Sequence, residues 1–141
     1  MIAAAADAAE GRVALLAVTV LTHLDEPTLE RLDLPGGSSR RALLWAHLAR
    51  EAGAAGVVCS PLELAALRAA EPPPFKLVAP GIRPAGGAGD DQRRTATAAA
   101  AIAAGADLIV IGRPLTQAAD PEAALATLNE ELAGSARTAG S

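Results

Sequence analysis

Short apolar runs alternate with longer Ala/Leu-rich stretches along the 141 residues. Residues 13–21 contain Ala14-Leu15-Leu16-Ala17-Val18-Thr19-Val20-Leu21, whose apolarity is continuous and not alternating. That pattern predicts a strand buried on both faces. Residues 56–59, 75–79 and 107–111 predict three more strands. Between them, Ser38 or Ser39 would cap a helix running to about Arg50, with Leu43, Leu44 and Leu48 on one side and Gly53 beyond its end. Ser60-Pro61 opens another helix by the serine-cap, proline-first pattern. It carries Leu62, Leu64, Ala65 and Leu67 and stops before Pro72-Pro73-Pro74. An alanine-dense helix is expected from about Thr95 to Ala104, ended by Gly105, and a last helix from about Pro121 to Leu132. Residues 1–10 read as a helix with no strand before it, and residues 134–141 as a small, polar, disordered tail.

A weak repeat supports this parsing. Gly53-Ala54-Ala55-Gly56-Val57-Val58-Cys59-Ser60-Pro61 parallels Gly105-Ala106-Asp107-Leu108-Ile109-Val110-Ile111-Gly112-Arg113-Pro114. Each reads as helix end, glycine turn, buried strand and a proline at the next helix start. Four strand–helix units predict an α/β fold of parallel strands joined by right-handed helical crossovers. Four units are also half of an eight-stranded β/α barrel, a fold that usually takes about 250 residues. The expected organisation is one half-barrel unit over residues 1–133, followed by the tail.

Composition narrows the function classes. Hydrophobic residues make up 51% of the chain, yet it has one Phe, one Trp and no Tyr. Alanine and leucine carry the apolar content, and base-stacking platforms for single-stranded nucleic acid are lacking. The net charge of −4 and the absence of a basic run disfavour nucleic acid and anionic membranes as partners. No apolar run approaches the ~18 residues of a membrane span, and the first residues lack a basic signal-peptide region. Cys59 has no second cysteine to pair with and lies in an apolar run, as an inert buried thiol would. His23 and His47 are too isolated to suggest zinc. A reducing, cytoplasmic setting is expected.

The candidate chemistry sits where the last two strands end. Gly81-Ile82-Arg83 follows the third strand and Gly112-Arg113 follows the fourth. Glycine lets the backbone approach an anion, and arginine adds a bidentate, charge-assisted fork. Loops after the last two strands of a β/α barrel are its usual phosphate site. The Gly/Pro-rich loop over residues 80–91 has the length of a functional loop, and Gln92 beyond it carries an amide suited to phosphate or a ring carbonyl. Thr22, closing the first strand, faces the same mouth and serves equally well as ligand contact or turn hydroxyl. His23 beside it reads as an exposed side chain, and Asp90-Asp91 as the cap of the following helix. Lys76, the only lysine, sits near the start of its strand and should point outward, away from the chemical end.

The ordered motifs resemble orotidine 5′-phosphate decarboxylase of the bacterial type. They are Val18-Thr19-Val20-Leu21-Thr22, Gly56-Val57-Val58-Cys59-Ser60, Phe75-Lys76-Leu77-Val78-Ala79-Pro80-Gly81-Ile82-Arg83-Pro84, Gly89-Asp90-Asp91-Gln92-Arg93-Arg94, and Val110-Ile111-Gly112-Arg113-Pro114 with Asp120-Pro121. The resemblance implies strands five to eight of a TIM-type (β/α)8 barrel that works as a dimer. It implies conversion of orotidine 5′-phosphate to UMP and CO₂ in pyrimidine synthesis, with no metal or organic cofactor. It assigns substrate binding to Thr22, Arg83, Gln92, Gly112 and Arg113, and a closing lid to residues 84–91. The family commonly has serine where His23 stands, and often proline at Ala98.

The larger departure is the family's catalytic Asp-x-Lys-x-x-Asp, which has no counterpart here, so no catalytic residue is assigned to this chain. In the family that lysine protonates the developing C6 carbanion. The resemblance therefore implies the phosphate-binding half of a decarboxylase, inactive alone, with an N-terminal half-barrel or a homo-oligomer as partner. A non-catalytic nucleotide-binding half-barrel and an inactive remnant are the alternatives.

Overall fold

The computed structural model describes residues 1–21, 24–83 and 96–138. Four strands, β1 (Leu16–Val18), β2 (Gly56–Val58), β3 (Lys76–Ala79) and β4 (Leu108–Ile109), form one parallel sheet in the order β1-β2-β3-β4. Around them run α1 (Ile2–Ala9), α2 (Glu26–Arg31), α3 (Ser38–Glu51), a 3-10 turn (Pro61–Glu63) leading into α4 (Leu64–Ala70), α5 (Ala98–Ala103), α6 (Arg113–Thr116) and α7 (Pro121–Thr138). This is the expected α/β half-barrel of four parallel units.

Strand alternation divides the sheet into two unlike faces. Val57, Leu77, Ala79 and the partly buried Ala17 and Ile109 share one core with Ala46 and Ala49 of α3, Leu64 and Leu67 of α4, and Ala98 and Ala101 of α5. All the crossovers thus cover the same face, as sequential parallel strands with one crossover hand require. The other face carries Leu16, Val18, Val58, Val78 and Leu108. A smaller core of Val20, Leu29 and Ala42, flanked by Leu24, Leu34 and Trp45, closes the segment after β1.

Several local expectations change. β1 is buried on one face only, with Leu16 and Val18 exposed on the other. On α3 the stripe facing the core is Ala42, Ala46 and Ala49, while Leu44 and Leu48 are half exposed. Alanine brings the helix axis closer to the sheet, and its stripe has the same helical spacing as the leucines. Gly37 is the N-cap of α3, and the Ser38 N–H donates to Glu26 Oε1 at 2.9 Å, so neither serine caps it. Leu62 and Ala65 are exposed, leaving Leu64 and Leu67 to anchor α4. α5 starts later than expected, at Ala98, where Thr97 Oγ1 accepts from the Ala100 N–H. α2 was not foreseen, although Asp25 caps it by accepting from Thr28 N–H at 3.1 Å, with Pro27 in its first turn. α7 continues past Leu132 to Thr138, so residues 134–138 are helical where a tail was expected.

The N-terminal end of the sheet is fastened by one arginine. Arg68 donates to the carbonyls of Gly105, Glu71 and Phe75 and to Asp107 Oδ2. Asp107 in turn accepts from Leu77 N–H at 2.8 Å and from Lys76 Nζ at 3.2 Å. Gly105 (φ 103°) tolerates no side chain here, because a Cβ would lie 2.8 Å from Arg68 Cβ. Burial pushes the Asp107 carboxyl up, but the Leu77 amide, Lys76 and Arg68 outweigh it and hold its pKa below the ordinary value.

Arg68→Ala should therefore destabilise the fold by about 2–3 kcal/mol in denaturant titration, because it strands several carbonyls and a carboxylate. Asp107 has a lowered pKa in the folded state, so its contribution is present above its unfolded value near ~3.9 and lost on acidification. The stability gap between the parent and Asp107→Asn should narrow as pH falls from about 5 to about 2.

Candidate functional site

In a parallel sheet all strand C-termini lie along one edge, so the chain segments that follow the strands meet there. After β3 the chain passes Pro80 to Gly81, whose positive φ of 79° suits glycine. The turn buries Ile82, which bridges Ala96 in parallel fashion, and the Arg83 N–H donates to Ala96 O at 2.9 Å. Arg83, half-buried, is therefore held by its main chain against Ala96.

Beyond β4, the Val110 N–H still donates to Ala79 O at 2.9 Å. The chain then reaches Gly112, the N-cap of α6, whose carbonyl accepts from Leu115 and Thr116. Gly112 is exposed, and a Cβ there would meet nothing within 4 Å, so its backbone faces open space. Arg113 follows it, exposed, as the first residue of α6. Arg83 lines one small cleft together with Ile111, Pro114, Leu115 and Leu128. The structure thus brings Arg83 against the segment that carries Gly112 and Arg113. Thr22, His23, Gln92, Asp90 and Asp91, and the loop over residues 84–91, lie outside the described residues.

The other polar groups at this end serve the fold. Thr19 Oγ1 donates to Val58 O at 3.1 Å, tying the end of β1 to β2. Ser60 Oγ accepts from Leu62 N–H, and Glu63 Oε2 accepts from Ser60 N–H, a reciprocal cap on the 3-10 turn. Neither Thr19 nor Glu63 was singled out from sequence; the Ser60-x-x-Glu63 spacing was the available signal for the second. Cys59 is buried, and burial, followed by the nearby Glu63 charge, pushes its pKa up to about 12 against a smaller opposing effect of Arg68.

Lys76 lies at the opposite end of β3. Its ammonium is half exposed and engaged by Asp107. Strand rise of ~3.3 Å per residue puts about 10 Å between Lys76 and Ala79 along β3, before the site is reached. Among the described residues, no group of three or more His, Cys, Asp or Glu side chains is placed to hold a metal, and no helix is long and apolar enough to cross a membrane.

Cys59 in the folded chain should resist alkylation at pH 8 and react only once denaturant opens the core. Mass spectrometry of iodoacetamide-treated protein, with and without denaturant, checks this.

The profile described as "Orotidine 5'-phosphate decarboxylase / HUMPS family" matches residues 1–128. An orotidine 5′-phosphate decarboxylase from Synechococcus sp. (strain WH7803) is 53% identical over 137 residues, covering 94% of this chain and 56% of the relative. One from Thermobifida fusca (strain YX) is 53% identical over 133 residues with the same coverage. Among solved structures, the orotidine 5′-phosphate decarboxylase from Lactobacillus acidophilus superposes with a TM-score of 0.76 at 34% identity, covering 94% of this chain and 58% of its own. The chain thus spans little more than half the length of the relatives it matches.

Proposed function

The chain belongs to the orotidine 5′-phosphate decarboxylase / HUMPS family, and from that premise we propose that it binds the 5′-phosphate of orotidine 5′-phosphate or UMP at the C-terminal ends of β3 and β4. The observation that supports this is that Arg83 and Gly112-Arg113 follow two paired strands, with Arg83 sharing a cleft with Ile111 and Pro114 on either side of Gly112-Arg113. The guanidinium groups supply charge-assisted donors to a phosphate dianion, and Gly112 leaves room for the anion to come close to the main chain. In this reading Gln92 and Thr22 complete the ligand contacts.

Phosphate binding is half of what a decarboxylase needs. Binding energy gathered at a remote phosphate lowers the barrier only when it is realised as stabilisation at the reacting carbon. Decarboxylation leaves an electron pair on C6 that a positioned ammonium must meet with a proton. Lys76 is the only lysine of the chain, and it is held by Asp107 at the far end of β3. We therefore read the chain as the phosphate-gripping half of a decarboxylase, binding nucleotide without turnover by itself, in a cytoplasmic setting that suits its free thiol.

Two measurements test this. The purified chain should release no UMP or CO₂ from orotidine 5′-phosphate; turnover that Lys76→Ala abolishes would overturn the proposal. In calorimetric titration with UMP, Arg113→Ala should weaken binding by ~1.5–3 kcal/mol, roughly ten- to a hundredfold. Arg83→Ala should cost a comparable or smaller amount. Arg12→Ala, exposed and paired with Glu10, should leave affinity unchanged. An Arg113→Ala chain that binds UMP as tightly as the parent would remove Arg113 from the site.

A further inference from the structure

Most of α7 faces solvent. From Pro121 to Ala133, Ala124, Leu128, Glu131 and Leu132 are half-buried and the other residues exposed, the spacing of one helical stripe. The first two line the cleft that they share with Arg83, Ile111, Pro114 and Leu115. That cleft measures about 30 Å³, room for a water molecule or two, so it is a packing seam and not a ligand pocket. One turn further on, Glu131 Oε1 accepts from the Ala99 N–H at 3.4 Å, in the first turn of α5. Ala96, just before that helix, receives the Arg83 N–H. A single stripe thus packs on the turn after β3, on α6 and on the start of α5.

α6 needs such support. It is four residues long, and its N-cap, Gly112, offers no side-chain hydrogen bond. One helical turn does not sustain itself in water, so packing decides where it stands. Pro114 and Leu115 supply that packing from α6, and Leu128 is the larger of the two α7 side chains in the same seam. Leu128 also packs against the main core, as Ile111 does. We propose that Leu128 is a positioning residue for the phosphate site: it fills the seam between Arg83 and α6 and thereby fixes where Arg113 stands. The proposal rests on the phosphate reading of that site. Binding groups work only when held within about 0.5 Å of their productive geometry by the side chains packed behind them. Truncating Leu128 to alanine would empty part of the seam, and a one-turn helix is free to settle into the space.

Calorimetric titration with UMP, run beside denaturant titration of the same variants, is the test. Leu128→Ala should weaken UMP binding by about three- to tenfold, part of the loss expected from removing a whole arginine. Leu128→Met, which conserves volume, should restore it. Leu132→Ala supplies the control, because Leu132 packs on the same core from the same helix but does not line the seam. It should lower stability and leave affinity within about twofold of the parent. Hydrogen exchange without nucleotide gives an independent readout. Leu128→Ala should speed exchange of the Arg83, Leu115 and Thr116 amides, which donate to the Ala96 and Gly112 carbonyls, more than Leu132→Ala does. If the parent binds UMP, an unchanged affinity in Leu128→Ala overturns the proposal, as does an equal loss in Leu132→Ala or a methionine variant as weak as the alanine one. If the parent binds no UMP, the phosphate reading falls by itself, and unchanged exchange at Arg83, Leu115 and Thr116 overturns the positioning role.

Discussion

A parallel strand can reach its parallel neighbour only through a crossover, and crossovers have one hand. When strands are laid down in the order β1-β2-β3-β4, that single hand sends every helix to the same side. The rest of the architecture depends on this constraint. Helices meet one face, where the alanines of α3 and α5 let them lie close to Val57, Leu77 and Ala79. The opposite face carries branched aliphatic side chains, and none of the helices described packs on it. All four strands also deliver their following segments to one end of the sheet, so Arg83 and Arg113, thirty residues apart in sequence, follow two strands that are paired with each other.

The two ends of the sheet carry their charges differently. At the N-terminal end, Arg68, Lys76 and Asp107 satisfy one another and the turn carbonyls around Gly105. This is a partly buried network that fixes how β3 and β4 start. At the C-terminal end, Gly112 and Arg113 are exposed, and Gly81 turns the chain so that Ile82 is buried and Arg83 is fixed by Ala96. β/α barrels divide themselves in the same way, with stabilising residues at the bottom and chemistry at the top. Lys76 belongs to the stabilising end, held by Asp107 away from the strand ends where the phosphate site is proposed.

The features most legible in the sequence were those set by backbone chemistry. Gly53 and Gly105 both adopt positive φ at helix ends, and Ser60-Pro61 starts a helical segment through a side-chain cap. The arginines after β3 and β4 could be placed because glycine and strand ends mark them. Side-chain orientation was harder to read. Ala42, Ala46 and Ala49 have the same periodicity as Leu44 and Leu48, and hydrophobicity alone favours the leucines; close approach of helix to sheet decides for the alanines. The continuous apolar run around β1 suggests burial on both faces, but among the described residues nothing covers Leu16 and Val18 on one of them. α2 is one and a half turns long, too short for a periodic signal, and was marked only by Asp25 and Pro27. At the C-terminus, small residues suggested a tail, yet nothing there breaks a helix strongly enough to stop α7 at Leu132.

The central claim is that the ends of β3 and β4 together grip a nucleotide phosphate. Amide chemical-shift mapping of the ¹⁵N-labelled chain tests this most directly, with UMP added in one series and uridine in another. The account predicts that UMP shifts the amides of Gly81, Ile82, Arg83, Gly112 and Arg113, and that uridine leaves Gly112 and Arg113 largely unmoved. UMP shifts confined to other parts of the chain, such as the Arg40/Arg41 region of α3, would contradict it, as would equal shifts of Gly112 and Arg113 with uridine.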